Sequence, residues 1–292
     1  MKLTAHSNIE GFLAVAGPQL MEGEERNSLI LSIAGRLEAG ASYGEESPLF
    51  LTVEEGGQLI AAALRTPPYN LVIHCEEGRP DALEAIAERV LELDPDLPGV
   101  IGIAETAGRF ARIWAERIGK TAVKAMSQRL YSLRRVIPPV GVPGRMREAG
   151  KDDFDLLIEW FGAFHAEATP GDPVSDPRRI VERVMATGKI VLWDDSGPVS
   201  MAGSSRGTPN GATISAVYTP PEQRGNGYAS ACVAALSRML LDEGKSFCTL
   251  FTDLANPTSN KIYQRIGYRP VIDYAVYSFA PAEGRTDEPP GR

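Results

Sequence analysis

The chain repeats itself. Residues 49–60, LFLTVEEGGQLI, and residues 189–200, KIVLWDDSGPVS, both read as a strand, an acidic-glycine hairpin and a second strand. Glu116-Arg117-Ile118-Gly119-Lys120 matches Gln264-Arg265-Ile266-Gly267-Tyr268, and Leu130-Tyr131-Ser132-Leu133 recurs as Val276-Tyr277-Ser278-Phe279. The matches keep one order at an offset near 140 residues that drifts slowly, which is the mark of a duplicated unit. A chain of 292 residues is long for one core and comfortable for two. The spacing therefore predicts one domain over 1–135, a proline- and glycine-rich linker over 136–144 and a second domain over 145–280. The polar tail, 281–292, is expected to be disordered.

The second copy carries the chemistry-bearing stretch. Over residues 213–229 an apolar strand breaks at Pro220-Pro221 into Glu222-Gln223-Arg224-Gly225-Asn226-Gly227, and an apolar helix follows from Tyr228 to Leu241. Gly225 and Gly227 permit backbone conformations and close approaches that a Cβ would obstruct, so several N–H groups can face one anion with a helix N-terminus behind them. Neither Gly-x4-Gly-Lys-Ser/Thr nor Gly-x-Gly-x-x-Gly is present, and a purely structural turn would look the same. Downstream, residues 247–254 read as a buried strand. Asn256 to Ile266 reads as a short helix with a polar cap and an early proline, ended by Gly267. Tyr268 to Phe279 is rich in strand formers, enough for one or two strands.

With both stretches in view, residues 144–280 resemble the GNAT superfamily of acyl-CoA-dependent N-acyltransferases. The family's Arg/Gln-x-x-Gly-x-Gly/Ala signature is met by Arg224, Gly227 and Ala229; its later signature is met by Asn256, Tyr263, Gly267 and Tyr268. The resemblance implies an α/β (α+β) fold of two tandem GNAT-like domains, each a mixed, mostly antiparallel sheet flanked by helices. It also implies acetyl-CoA as cosubstrate, held by Val217, Tyr218 and Thr219 on the strand, by Arg224, Gly225, Asn226, Gly227, Tyr228 and Ala229 in the cradle, and by Asn256. The strand N–H groups would face the thioester carbonyl, where charge develops as an amine attacks. The leaving thiol, with a pKa of about 8.5, departs better if a proton is supplied, and Tyr263 is the implied donor. The bland alternative for Tyr263 is an aromatic packed on the sheet, and for Asn256 a common helix cap.

No base is assigned. The strand has no Asp or Glu between Thr213 and Thr219, and Glu159, His165, Glu167 and Asp253 each suit a solvated or structural role. In the first copy Glu76-Glu77 stands where the cradle would be, and two carboxylates would repel a pyrophosphate. Ala115 aligns with Tyr263, and Ala107 or Gly108 with Asn256, so the first domain is expected to keep the fold without the activity.

A net charge of −8 argues against a nucleic-acid partner. Cys75, Cys232 and Cys248 show no metal or disulfide spacing and are expected as core residues. With no leader-like or spanning apolar run, the expected location is the cytoplasm, with no membrane partner and no metal. The resemblance places the acceptor, a small-molecule or peptide amine, across Ile158 to Ile180, a stretch that holds Trp160, Phe161, Phe164, His165 and Glu167. A homodimer is open. So are a longer acyl-CoA donor, a catalytically silent CoA-binding or interaction module, and an enzyme like mycothiol synthase.

Overall fold

The structure is a computed structural model and describes residues 1–43, 46–168 and 176–281. The tail from Ala282 and part of the expected acceptor stretch, 169–175, lie outside the described residues. Both halves of the chain run through one succession of elements. The first half comprises β1 (Lys2–His6), α1 (Ile9–Glu22), α2 (Ser28–Glu38), β2 (Leu49–Glu55), β3 (Gln58–Arg65), β4 (Leu71–Cys75), α3 (Pro80–Leu93), β5 (Gly99–Ile103), α4 (Ala104–Ile118) and β6 (Lys120–Leu133). The second comprises β7 (Arg145–Glu148), α5 (Phe154–Ala168), α6 (Pro177–Thr187), β8 (Lys189–Asp194), β9 (Pro198–Gly207), β10 (Gly211–Tyr218), α7 (Tyr228–Asp242), β11 (Phe247–Asp253), α8 (Pro257–Arg265) and β12 (Arg269–Pro281). The segment expected as one or two closing strands is the single strand β12.

Local chemistry sets the turns. The β2–β3 hairpin pairs Glu55 with Gln58 across Gly56 and Gly57, at φ 60° and 81°. A two-residue turn that follows the twist of its strands needs positive φ at both positions. The β8–β9 hairpin pairs Asp194 with Pro198 across three residues, of which Ser196 (φ 59°) and Gly197 (φ 135°) have positive φ, and the Gly197 N–H donates to Asp194 Oδ1 at 3.1 Å. Gly119 ends α4 in the left-handed conformation.

The chain forms two compact units that are not consecutive in sequence. One comprises Met1–Glu22, Leu37–Gln128 and the chain from Asp273; the other comprises Gly23–Arg36 and Arg129–Ile272. In the first unit the strand order is β1-β2-β3-β4-β5-β12. Only β4–β5 is parallel, and the end strand comes from the far end of the chain: Tyr274–Ser278 pairs antiparallel with Ile103–Gly99. Leu51, Val53, Ile73, Ile86, Phe110 and Trp114 form its core, and Tyr277 and Phe279 of β12 pack on it.

In the second unit the order is β6-β11-β10-β9-β8-β7, with β10–β11 parallel and β7–β8, β8–β9 and β9–β10 antiparallel. Its sheet has a core on each face. One is built from α7 with Tyr131, Leu133, Ile214, Val233, Leu250 and Tyr268; the other from α5 and α6 with Leu192, Met201 and Tyr218. The early segment is tied in by Glu24, which accepts from Asn210 N and Nδ2 at 2.8 and 2.9 Å, and by Glu25, which accepts from Ser132 Oγ at 3.0 Å. The stretch read as a linker lies along this unit. Ile137 N donates to Ile266 O at 2.8 Å, Val136 is buried, and Pro143 O accepts from the Trp193 indole at 2.7 Å.

Candidate functional site

The site begins where two parallel strands part. Gly211–Thr213 of β10 pairs with Phe247–Thr249 of β11, and among the described residues the pairing stops there although the strands run on to Tyr218 and Asp253. A bulge lies on the same stretch. The register with β9 shifts twice after Thr213, and Ala216 has φ 49°. An extra residue flips the facing of those that follow. Ala212 and Ile214 enter the core beneath α7, whereas Ala216 and Tyr218 enter the core beneath α5 and Val217 turns toward α7. Tyr218 directs its carbonyl to β9, where Ser200 Oγ donates to it at 3.1 Å. Backbone groups alternate in direction along a strand, so those of Val217 face the opening toward β11.

The turn after β10 ends on a helix start left bare of side chains. Pro221–Gln223 makes one 3-10 turn, Arg224 is extended, and Gly225 and Gly227 sit at φ 88° and 84°. Gly227 is the N-cap of α7, and no side chain caps it. The first N–H groups of the helix, on Tyr228 and Ala229, thus have no side-chain cap, and they carry the partial positive charge of the helix dipole. A Cβ on Gly225 would meet open space, but one on Gly227 would lie 3.0 Å from Val142 Cγ2. The cradle is braced from beneath: the Tyr228 hydroxyl donates to Asp195 Oδ2 at 2.6 Å, which pushes its pKa up, and Asn226 Nδ2 donates to Gln223 O at 3.2 Å.

Arg224 points to protein partners. Its Nε donates to Thr219 O at 2.9 Å, its Nη2 donates to Glu167 Oε1 and Oε2 at 2.9 and 2.8 Å, and its guanidinium lies 5.9 Å from the Tyr218 ring centre. The Glu167 contact, 57 residues distant, has no local signal in the sequence.

On the other side of the opening stands α8. Asn256 is its N-cap, its Oδ1 accepting from Ser259 N at 3.1 Å. Asn260 clasps the helix to its surroundings. Its Nδ2 donates to Asp253 O and Asn256 O at 3.1 and 2.8 Å, and its Oδ1 accepts from Tyr131 OH at 3.1 Å and from Thr252 Oγ1. Tyr131 OH in turn accepts from Gln264 Nε2 at 3.1 Å. Tyr263 packs against the α7 core with its ring edge-on to Tyr268 at 6.0 Å. Among the described residues nothing hydrogen-bonds to its hydroxyl, and burial pushes its pKa up to about 12.

The FR47-like protein family matches residues 195–276, from the β8–β9 hairpin into β12. Among solved structures, a Drosophila protein aligns at 14% identity over 96% of this chain and 98% of its own, with a TM-score of 0.66. A GNAT-family acetyltransferase from Colwellia psychrerythraea aligns at 12% identity over 96% of this chain and all of its own, with a TM-score of 0.58. A tandem GNAT protein from the clavulanic acid biosynthesis pathway aligns at 12% identity over 98% of this chain and 100% of its own, with a TM-score of 0.57. The fold is the tandem GNAT fold. No curated protein matches by sequence.

In GNAT terms the two copies differ at the cradle. After β4 the first copy turns through Glu76, Glu77 and Gly78 to Arg79, the N-cap of α3, whose guanidinium pairs with Glu55 and Asp81 at 3.0 and 2.8 Å. Ala115 is buried where the second copy has Tyr263, and a Cβ on Gly108 would lie 3.0 Å from Tyr277 OH.

The carboxylates weighed as bases divide. Asp253 accepts from Ala255 N at 2.8 Å through Oδ1, and Glu167 is engaged by Arg224. The Tyr218 hydroxyl pKa is pushed up mainly by burial and then by the charge of Glu167. His165 lies edge-on to Phe164 at 5.8 Å. The three cysteines are buried and free, and the thiols of Cys75, Cys232 and Cys248 are each pushed up by burial to about 12. Among the described residues no cluster of three His, Cys, Asp or Glu side chains is placed to hold a metal, and no helix is long and apolar enough to cross a membrane.

Proposed function

We propose that the chain is an N-acyltransferase that uses acetyl-CoA and acts on a primary amine in its second unit. The observation that carries this reading is the parting of β10 from β11 directly beside an uncapped, glycine-bearing helix start. An extended pantetheine arm needs unpaired strand backbone, and a pyrophosphate needs unengaged N–H groups at a helix N-terminus; the two lie in sequence order here. Acetyl-CoA would supply an activated thioester for an amine to attack.

Each residue then has a task. Val217 presents its backbone groups and Thr219 its N–H to the arm, with the Val217 N–H a donor toward the thioester carbonyl. Arg224, Gly225, Asn226, Gly227, Tyr228 and Ala229 receive the pyrophosphate, and Asn256, its Oδ1 already used in capping, offers Nδ2. Tyr263 holds a proton at its hydroxyl for the departing thiolate. Burial keeps that phenol protonated up to about pH 12, so it is in its donating form throughout the neutral range. The first unit, with carboxylates at the cradle position and Ala115 in place of the phenol, serves as scaffold.

The test is calorimetric titration with acetyl-CoA of the wild-type chain and of an Arg224→Glu, Gly227→Glu variant. One site per chain, lost in the variant, is the expected result. Two sites would show the first unit to be functional, and none would remove the foundation of the reading. A CoA-binding module without activity would give the same titration but no free thiol with any amine.

A further inference from the structure

We propose that Glu167 is a further determinant of the donor site: an internal carboxylate that occupies Arg224 until a pyrophosphate takes its place. This rests on the donor reading above. Arg224 is the signature residue that opens the cradle, yet its Nη2 donates to both oxygens of Glu167, at 2.9 and 2.8 Å. Its Nε is fixed on Thr219 O at 2.9 Å, and the Tyr218 ring backs the guanidinium at 5.9 Å. The guanidinium is thus anchored at the end of β10 with one face of its donors turned to an acidic partner from α5.

A carboxylate and a phosphate present the same kind of charged oxygens to a guanidinium, so the two compete for one set of N–H donors. The strength of the competitor suits exchange. The two side chains are 47% and 50% exposed, and an exposed pair of this kind holds by only about 0.2–1 kcal/mol. A diphosphate that also collects the N–H groups of α7 displaces it at small cost. Glu167 lies one residue before the end of α5, so the exchange also unties the last turn of that helix from the cradle. Among the described residues the carboxylate paired with Arg224 is Glu167, and neither Glu222 nor Glu159 shares that contact.

The experiment is a double-mutant cycle read by acetyl-CoA affinity, with wild type, Glu167→Gln, Arg224→Gln and the double variant, and Glu222→Gln as the control. Inorganic pyrophosphate serves as a second probe. Glu167→Gln is expected to bind acetyl-CoA about 1.4- to 5-fold more tightly than wild type, the fold-change equivalent to an exposed pair. In the Arg224→Gln background the same substitution is expected to change nothing. Equal affinity of wild type and Glu167→Gln overturns the inference and leaves the donor reading standing. So does an equal tightening in both backgrounds, or one matched by Glu222→Gln, because simple relief of charge repulsion would then explain it. Absence of binding to both probes in every variant overturns the inference together with the reading beneath it.

Discussion

At the scale of the residue, Tyr263 and Gly227 test different steps. The Tyr263 hydroxyl has no hydrogen-bond partner among the described residues, so Tyr263→Phe deletes a proton and leaves the packing against Tyr268 in place. Loss of a positioned acid costs about 10²-fold or more in rate. The variant is expected to lose that much in kcat while its acetyl-CoA affinity, read by calorimetry, stays at the wild-type value. The sign of its pH behaviour follows from the direction of its pKa. Raised to about 12, the phenol loses its donating form only as pH climbs toward that value, so no falling limb of the wild-type rate profile in the neutral range belongs to Tyr263. At the cradle, alanine at Gly225 meets open space but must adopt a positive φ, whereas alanine at Gly227 meets the same strain and Val142 at 3.0 Å. Left-handed strain alone costs about 1 kcal/mol. Gly227→Ala is therefore expected to weaken acetyl-CoA binding and lower the melting temperature more than Gly225→Ala, and equal effects in both assays would contradict the contact with Val142.

At the scale of the element, the position of α8 depends on one amide. Asn260 joins the N-terminal turn of α8 to the end of β11 and to Tyr131 of β6, and Gln264 closes the circuit on the same phenol. Asn260→Ala leaves the half-buried partners unsatisfied, at about 1–3 kcal/mol, and frees the helix that carries Tyr263. The expected outcome is a lower melting temperature together with a lower kcat. Combined with Tyr131→Phe it should fall short of the sum of the single losses, since both remove one network. Full additivity would show the two contacts to be independent. The pattern of what the sequence disclosed follows from range. Gly56-Gly57, Gly119, the Asn256 cap and the start of α7 at Tyr228 are set by chemistry within a few residues, and each is legible. The bond from Tyr131 to Asn260 spans 129 residues and that from Arg224 to Glu167 spans 57, so no local pattern encodes either. The repeat itself hides which strand completes which unit. Leu130-Tyr131-Ser132-Leu133 and Val276-Tyr277-Ser278-Phe279 are near copies, so either satisfies the same slot by pattern, and only the folded chain puts Tyr131 in the second core and Tyr277 in the first.

At the scale of the whole molecule, that exchange makes each unit depend on both halves of the chain. A fragment of residues 1–135 lacks Tyr274–Ser278, leaving the Gly99–Ile103 edge of β5 unpaired, and it loses the packing of Tyr277 and Phe279 on the core that holds Trp114. A fragment of residues 145–292 lacks Tyr131 and Leu133, each 1% exposed, along with Glu24 and Glu25 of the early segment. Burying one such large side chain is worth about 1.5–3 kcal/mol, and a domain as a whole is stable by only about 5–15 kcal/mol. Tyr131, Leu133 and Val136, with the hydrogen bonds of Tyr131, are thus a large share of what holds the second unit together. Neither fragment is expected to melt cooperatively by circular dichroism when made alone. Co-expressed, the two carry every segment that either unit uses apart from the 136–144 strap, and they are expected to co-purify with a single cooperative transition. A lone 145–292 fragment that melts cooperatively and binds acetyl-CoA at wild-type affinity would show that the strand ends and early segment contribute packing without being required, and that the donor site is self-sufficient in the second half.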